Sequence, residues 1–303
     1  VVLMPPGREL STESFAAMAA QMNLSETAFV QPVAPYIQPN GSNSVGNGTG
    51  MHSSFTGDEF REVFATHSRF SLRWFSPNGT EVDLCGHGTL ATAATLVCEL
   101  GNANSVLDFV TRSGTLSVSA TGDSPDGPNF SLLFPINRSV NVSLCTEEES
   151  QVAARLGQIV TDAGCDQSDP NWATQPELEI EFSASTRKLV ICLSFSDVSK
   201  GPEFLLRLTD SGLPEKLLQA HDGSIVRGVS VTVKADEEYC AHHFESRYFN
   251  PWVGINEDPA NGSSHTVLAP FWSSRLQKRA SDDDATELVA VQRSLRGGLL
   301  KMR

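Results

Sequence analysis

Two short glycine-rich turns, each opening a helix, hold the residues of this chain best suited to chemistry. Cys85-Gly86-His87-Gly88 runs into Thr89-Leu90-Ala91-Thr92-Ala93-Ala94. Glu257-Asp258-Pro259-Ala260-Asn261-Gly262-Ser263-Ser264-His265 runs into Thr266-Val267-Leu268. Small residues at a helix start leave the first backbone N–H groups open, without intrahelical partners and carrying the positive end of the helix dipole. Such ends bind anions. Titratable side chains occupy the same turns. Two ends of this kind facing each other across a cleft would grip a carboxylate while neighbouring side chains move protons.

The bulk properties narrow the ligand. The chain has 303 residues, 40% of them hydrophobic and 19% charged, with a formal net charge of −14. A chain of that length buries roughly 75% of its unfolded surface, enough for two cores. The negative balance excludes nucleic-acid binding, which needs clustered Lys and Arg, and docking to anionic membranes. No apolar run approaches the ~20 residues of a spanning helix. An anionic ligand must therefore be drawn locally, by backbone dipoles or a few side chains. The six cysteines (Cys85, Cys98, Cys145, Cys165, Cys192, Cys240) are scattered without a CxxC pair. A chain this long does not need disulfides, so reduced thiols in a cytoplasmic protein are expected. Asn261-Gly262-Ser263 is a glycosylation sequon, but a glycan there would fill the second turn. Both ends, Val1-Val2-Leu3-Met4 and Leu299-Leu300-Lys301-Met302-Arg303, read as cut.

The elements that must position the turns follow from periodicity. Ser11 is placed to cap a helix whose apolar positions Phe15, Met18, Ala19 and Met22 repeat at helical spacing, ending near Asn23. Ala28-Phe29-Val30 reads as β. The Asn-, Gly- and Ser-rich run at 39–54 reads as a long flexible loop, an insertion at about 38–56. Phe70, Leu72 and Trp74 alternate as a strand, and Ser76-Pro77-Asn78-Gly79 turns the chain back towards Cys85. The alanine-rich helix after Cys85 has Gly101 as its stop signal. Strands are predicted at 106–110, 116–118, 130–134, 189–193 and 229–233, and helices at 147–159 and 213–220. Breakers at 122–128 divide the chain into domains 1–122 and 123–303, the last residues returning to the first domain. Two mixed halves of similar grammar predict a duplicated α+β architecture with a cleft between them.

Three segments together resemble the phenazine-biosynthesis isomerase-like (PhzF-like) family, whose fold is that of diaminopimelate epimerase. They are Asn23-Leu24-Ser25-Glu26-Thr27-Ala28-Phe29-Val30; Arg73-Trp74-Phe75-Ser76-Pro77 with Glu81-Val82-Asp83-Leu84-Cys85-Gly86-His87-Gly88-Thr89; and Ser246-Arg247-Tyr248-Phe249-Asn250-Pro251 with Glu257-Asp258-Pro259 and Gly262-Ser263-Ser264-His265. Thr111-Arg112-Ser113-Gly114 agrees as well. The resemblance implies two pseudo-symmetric domains, each a barrel-like sheet around a central helix, with the active site in the cleft between them. It makes Glu26 the catalytic acid/base and gives functional positions to His87, Asp258 and Ser263. It also implies dimerisation, although no stretch marks an interface. Gly88 stands where alanine is common, Asn261 where threonine is common, and Ser264 replaces another alanine. Against the family pattern, the strand and Gly-Asn-Pro segment that usually begin it, and the last strands beyond Arg296-Gly297-Gly298, are expected to be missing.

The chemistry so implied is proton transfer at carbon. A hydrogen beside a carboxylate is weakly acidic, so its removal needs a positioned base and stabilisation of the enolate. A carboxylate has a reference pKa of about 4.3 and needs desolvation, here expected from Leu24, Phe29 and a closing domain. One carboxyl can carry a proton between two carbons of one small carboxylate metabolite, without metal or cofactor. His87 and Asp258 would orient the substrate or relay protons, and N–H groups around Gly86, Gly88, Gly262 and Ser263 would hold its carboxylate. Diaminopimelate epimerases and proline racemases use two cysteines, one per half. Cys85 matches the first, but Ser263 stands at the second turn and is too weak an acid. Cys240, His242 and His243 lack a further ligand pair for a metal. Neither 46–50 nor Gly262-Ser263 has the form of a phosphate loop or nucleophile elbow. Asp282-Asp283-Asp284 reads as a solvated end. The rival reading is a non-catalytic member that binds a metabolite or protein through the cleft or the insertion.

Overall fold

The computed structural model describes residues 1–24, 26–33, 56–124, 127–165, 172, 175–236, 238, 240–276 and 287–303. The insertion predicted at about 38–56 thus falls almost wholly outside the described residues, as do 46–50 and Asp282 to Asp284. The chain forms two compact units, Val1–Phe134 and Pro135–Arg303.

The first unit runs β1 (Val2–Leu3), α1 (Thr12–Met22), β2 (Thr27–Pro32), α2 (Gly57–Thr66), β3 (Arg69–Phe75), β4 (Glu81–Val82), α3 (Gly86–Ala94), β5 (Val106–Thr111), β6 (Gly114–Ser124) and β7 (Gly127–Leu132). Its sheet has the order β1-β2-β3-β5-β6-β7, with β4 hairpinned onto β3. Ser11 caps α1 through Ser14 N–H, as its position predicts. Strand alternation divides β2 between two cores. Ala28 and Val30 join Leu72, Trp74 and Ala93 on the α3 side, while Phe29 packs with Phe15, Ala19 and Phe75 under α1. Each such fully buried large apolar side chain contributes ~1.5–3 kcal/mol.

Helix α3 packs against β2, β6 and β7. Its packed face carries the buried Thr89 and Thr92, whose hydroxyls are satisfied locally, as is that of Thr95 just beyond the helix. Thr89, Thr92 and Thr95 donate to the carbonyls of Cys85, Gly88 and Ala91 at 2.7–2.8 Å. Gly88 is fixed by its neighbour. A Cβ there would lie 2.9 Å from Trp74 Cδ1 and 3.0 Å from Cys85 Sγ. Trp74 is only 1% exposed and has nowhere to go. Gly88→Ala should therefore cost about 1–3 kcal/mol in overpacking, offset by up to ~1 kcal/mol of helix propensity. Denaturant midpoints check this: the loss should shrink in a Trp74→Phe background, and an undiminished midpoint for Gly88→Ala alone would contradict it.

The second unit runs β8 (Val140–Asn141), α4 (Glu147–Gly164), β9 (Glu177–Ser183), β10 (Lys188–Ser194), α5 (Lys200–Arg207), α6 (Leu213–Ala220), β11 (Gly228–Lys234), β12 (Phe244–Phe249), α7 (Gly262–Arg275), β13 (Leu288–Gln292) and β14 (Gly298–Met302). The sheet order is β14-β13-β12-β11-β10-β9-β8. Strands β10 and β11 are buried on both faces, which explains the unbroken apolar run at 189–193. Val190, Cys192 and Phe244 pack on α7, while Leu189, Ile191, Val229 and Val231 pack with residues of α4, α5 and α6.

The two units share one strand grammar. β1 pairs parallel with β2 across α1, β2 antiparallel with β3, β3 parallel with β5 across α3, and β5 antiparallel with β6. β10 pairs parallel with β11 across α5 and α6, β11 antiparallel with β12, β12 parallel with β13 across α7, and β13 antiparallel with β14. The duplication expected from the sequence is thus a repeat in which α3 and α7 are the equivalent central crossovers. Two boundaries differ from expectation. The units divide at Phe134 and Pro135, beyond the breakers at 122–128, because β7 folds back onto β6 across those breakers. The chain end stays in the second unit because β14 pairs with β13, and β14 is itself a strand where none was expected beyond Gly298.

Candidate active site

Glu26 immediately precedes β2, in phase with Ala28 and Val30, so its side chain belongs to the sheet face that packs on α3. That side chain is only 7% exposed, and its carboxylate lies 2.9 Å from His87 Nε2. The expected cover from Leu24 is not there: Leu24 is 58% exposed, and Phe29 points to the opposite core. The desolvation comes from the α3 side of the sheet instead.

His87 sits in the first turn of α3, half exposed, with Cys85 Sγ 3.8 Å from both ring nitrogens. Hydrogen bonding to Cys85, then to Glu26, raises its pKa from 6.5 to about 10. At neutral pH the ring is therefore an imidazolium held against a carboxylate. Cys85 is the N-cap of α3 but makes no side-chain capping bond. The first-turn N–H groups at Gly86, His87 and Gly88 keep their capacity for an anion. Gly86 must stay small, since a Cβ would lie 2.8 Å from Phe134 Cζ. The structure thus brings Glu26, Cys85, Gly86, His87 and Gly88 to one place.

The second turn is built differently. Asn261 caps α7 by accepting from Ser264 N–H at 2.5 Å and from Ser263 Oγ at 3.0 Å. Its Nδ2 donates to Asp258 Oδ2 at 2.7 Å, and Asp258 Oδ1 accepts from Ala260 N–H at 3.1 Å. Both oxygens of Asp258 thus accept hydrogen bonds inside the turn and help to fix its shape. Asn261 suits this better than threonine because its amide accepts and donates at once. Gly262 and Ser263 occupy the first two helical positions and keep their N–H groups.

The matching runs Arg73-Trp74-Phe75-Ser76-Pro77 and Arg247-Tyr248-Phe249-Asn250-Pro251, together with strand pairing, align the two repeats. Ala28 pairs with Trp74 as Ser230 pairs with Tyr248. The counterpart of Glu26 is then Gly228, where a Cβ would run into the Tyr248 hydroxyl. The counterparts of Cys85 and His87 at the helix start are Asn261 and Ser263. One repeat carries a carboxylate, a thiol and an imidazole; the other carries a glycine, an amide and a hydroxyl.

Lys188 is the residue that sequence reasoning missed. It is 8% exposed, and its ammonium donates to the Ser263 carbonyl at 3.2 Å, beside the α7 start. Burial pulls its pKa down to about 8, against the opposing attraction of Asp258. A lysine opening an apolar strand reads as a solvated strand end; only the pairing with Gly228 and the approach of Ser263 reveal its burial. The sign of its effect is definite. Below about pH 8 the folded state holds a desolvated ammonium, and that cost fades by about pH 10.5, where the unfolded lysine also loses its proton. Lys188→Met should therefore be more stable than the parent at pH 7, by up to about 3 kcal/mol. The gain should shrink between pH 8 and 10.5 in melting curves, and a destabilised variant at pH 7 would contradict this.

The residues at 240–245 also differ from expectation. Cys240, His242 and Glu245 are the ones brought together, and His243 turns away to accept from Val289 N–H at 2.9 Å.

The family model described as phenazine biosynthesis-like protein matches residues 1–303. The chain belongs to the PhzC/PhzF family. It is 35% identical over 295 residues to phenazine biosynthesis-like domain-containing protein 1 of Mus musculus, covering 97% of this chain and 82% of that one. It is 35% identical over 292 residues to a protein of Pseudomonas aeruginosa named an uncharacterized isomerase, covering 96% of this chain and 80% of the relative. A solved PhzF-family structure from Enterococcus faecalis superposes with a TM-score of 0.60 at 27% identity, over 99% of this chain and 82% of that one. A solved structure of a predicted epimerase from the same Pseudomonas, at 14% identity and a TM-score of 0.55, shares the fold. Membership in this PhzF family and an isomerase-named relative support isomerase chemistry in general terms. Among the described residues no helix is long and apolar enough to cross a membrane.

Proposed function

We propose that this PhzF-family chain is a cofactor-independent isomerase that moves a carbon-bound proton on a small carboxylate-bearing metabolite, with Glu26 as both acid and base. The observation that carries the proposal is a carboxylate, 7% exposed, ion-paired to an imidazolium at an uncapped helix start. Glu26 would take the proton, and the N–H groups of Gly86, His87 and Gly88 would carry the charge that develops on the substrate's carboxylate as it becomes an enolate. The protonated Glu26 would then deliver to a second carbon. His87, charged at neutral pH, would hold the Glu26 carboxyl in place through its hydrogen bond.

The asymmetry between the repeats favours one base over two. A racemase of the paired-thiol kind needs like acids at equivalent positions of the two halves, yet the counterparts of Glu26 and Cys85 are Gly228 and Asn261. The second repeat instead offers anion binding, through Gly262, Ser263 and the Lys188 ammonium, with Asp258 holding the turn in shape. A thermal-shift panel of small carboxylic acids, each beside its amide, tests the ligand class. Selective stabilisation by an acid, weakened in Asp258→Ala and Lys188→Met, supports the reading; equal stabilisation by acid and amide counts against it. At 100 times Kd the expected stabilisation is about 2.7 kcal/mol.

A further inference from the structure

We propose that Glu26, Cys85 and His87 form a zinc-binding site whose occupation stops proton transfer, an inference that rests, for its consequence, on Glu26 being the base. The three ligand atoms lie within 4.8 Å of one another. Thiolate, imidazole and carboxylate are the donor types that Zn(II) takes in proteins. A tetrahedral ion with bonds of about 2.3 Å to sulfur and 2.0–2.1 Å to nitrogen sets those atoms about 3.6 Å apart. Cys85 Sγ is 3.8 Å from His87 Nε2 and equally far from Nδ1, so the half-exposed ring must turn to aim its Nε2 lone pair at an ion shared with the sulfur. The carboxylate oxygen and Nε2, at 2.9 Å across a shared proton, would open by a few tenths of an ångström when the ion replaces that proton.

Charge and access fit as well. One thiolate and one carboxylate would balance a dication. The half-exposed His87 gives the ion a way in, and three protein ligands leave a fourth position for water. The second cluster is a poorer host. Both oxygens of Glu245 are already held by Arg293, at 2.7 and 2.6 Å, so a cation would meet a guanidinium there. Zinc in the first site takes the Glu26 lone pair that would otherwise accept the substrate's proton.

Cobalt(II) and zinc(II) titrations of the metal-free protein test this without any substrate. One equivalent of cobalt should produce a thiolate-to-metal charge-transfer band in the near ultraviolet. Cys85→Ser should abolish the band and weaken zinc binding, measured against a chromophoric chelator, by at least ~10–100-fold. Cys240→Ser should change neither. No band in the parent, or a band that survives Cys85→Ser and disappears in Cys240→Ser, overturns the site. For the consequence, one equivalent of zinc should stop turnover and a chelator restore it; full turnover by the zinc-loaded protein overturns the inhibitory role. Because the band reports ligands and not catalysis, its absence leaves the proton-transfer reading to its own experiments.

Discussion

Glu26→Gln is expected to lower kcat by about 10²–10⁴-fold, the range that a positioned acid or base supplies, while KM changes little. The amide keeps the size and the planarity of the carboxylate, so the α3 side of the sheet should pack as before. What it loses is the lone-pair basicity that takes a proton from carbon and the acid that returns it. Circular dichroism of the variant should match the parent, and loss of the pair with half-exposed His87 should lower Tm by only about a few degrees, which separates chemistry from folding. His87→Asn should cost less, because it weakens the steadying hydrogen bond and leaves the carboxyl in place. A Glu26→Gln enzyme with kcat within a few-fold of the parent would show that another group does the work.

The largest expected loss of stability lies elsewhere, at Glu257. Arg247 is 1% exposed and spends its guanidinium on four acceptor atoms of three residues. Nε and one terminal nitrogen donate to the two oxygens of Glu257 at 2.6 Å each; the other donates to the Leu205 carbonyl at 2.7 Å and Thr209 Oγ1 at 2.9 Å. This fork ties β12 and α5 to the residue before Asp258. Glu257→Gln leaves a buried cation with no anion, and breaking such a pair typically costs 3–5 kcal/mol. A fall in Tm on the order of 10 °C should follow. Arg247→Lys should lose nearly as much, since an ammonium cannot bridge both oxygens. The double change Arg247→Met with Glu257→Leu should recover most of the loss, because it removes the orphaned charge along with its partner. A single Glu257→Gln that melts with the parent would contradict the buried-pair account.

Much of this arrangement was legible in the sequence, for reasons that particular residues make plain. The helix starts announced themselves through small residues at Gly86, Gly88, Gly262 and Ser263, and Ser11 was legible as a cap. Phe70, Leu72 and Trp74 revealed β3 because one of its faces lies on α3. Helix α2 was missed although Thr56 and Glu59 form a complete capping box, the adjoining Asn- and Gly-rich run having masked it. Strand β9 carried a period-two signal, Glu177, Glu179 and Glu181 alternating with Leu178, Ile180 and Phe182, that went unread. The burial of Glu26 and Lys188 was not readable at all. Each depends on partners distant in sequence, and single charged residues beside apolar runs look like solvated ends. Likewise, the pairing of Glu257 with Arg247 required the register of β12.

The most direct test follows one hydrogen. With a substrate from the carboxylate panel deuterated at the donor carbon, turnover in ordinary water is read by NMR at the acceptor carbon. If a single shielded carboxyl lifts the hydrogen and sets it down again, part of the deuterium must arrive in the product, and none should in Glu26→Gln. Product carrying only solvent hydrogen at every stage of the parent reaction would contradict the account.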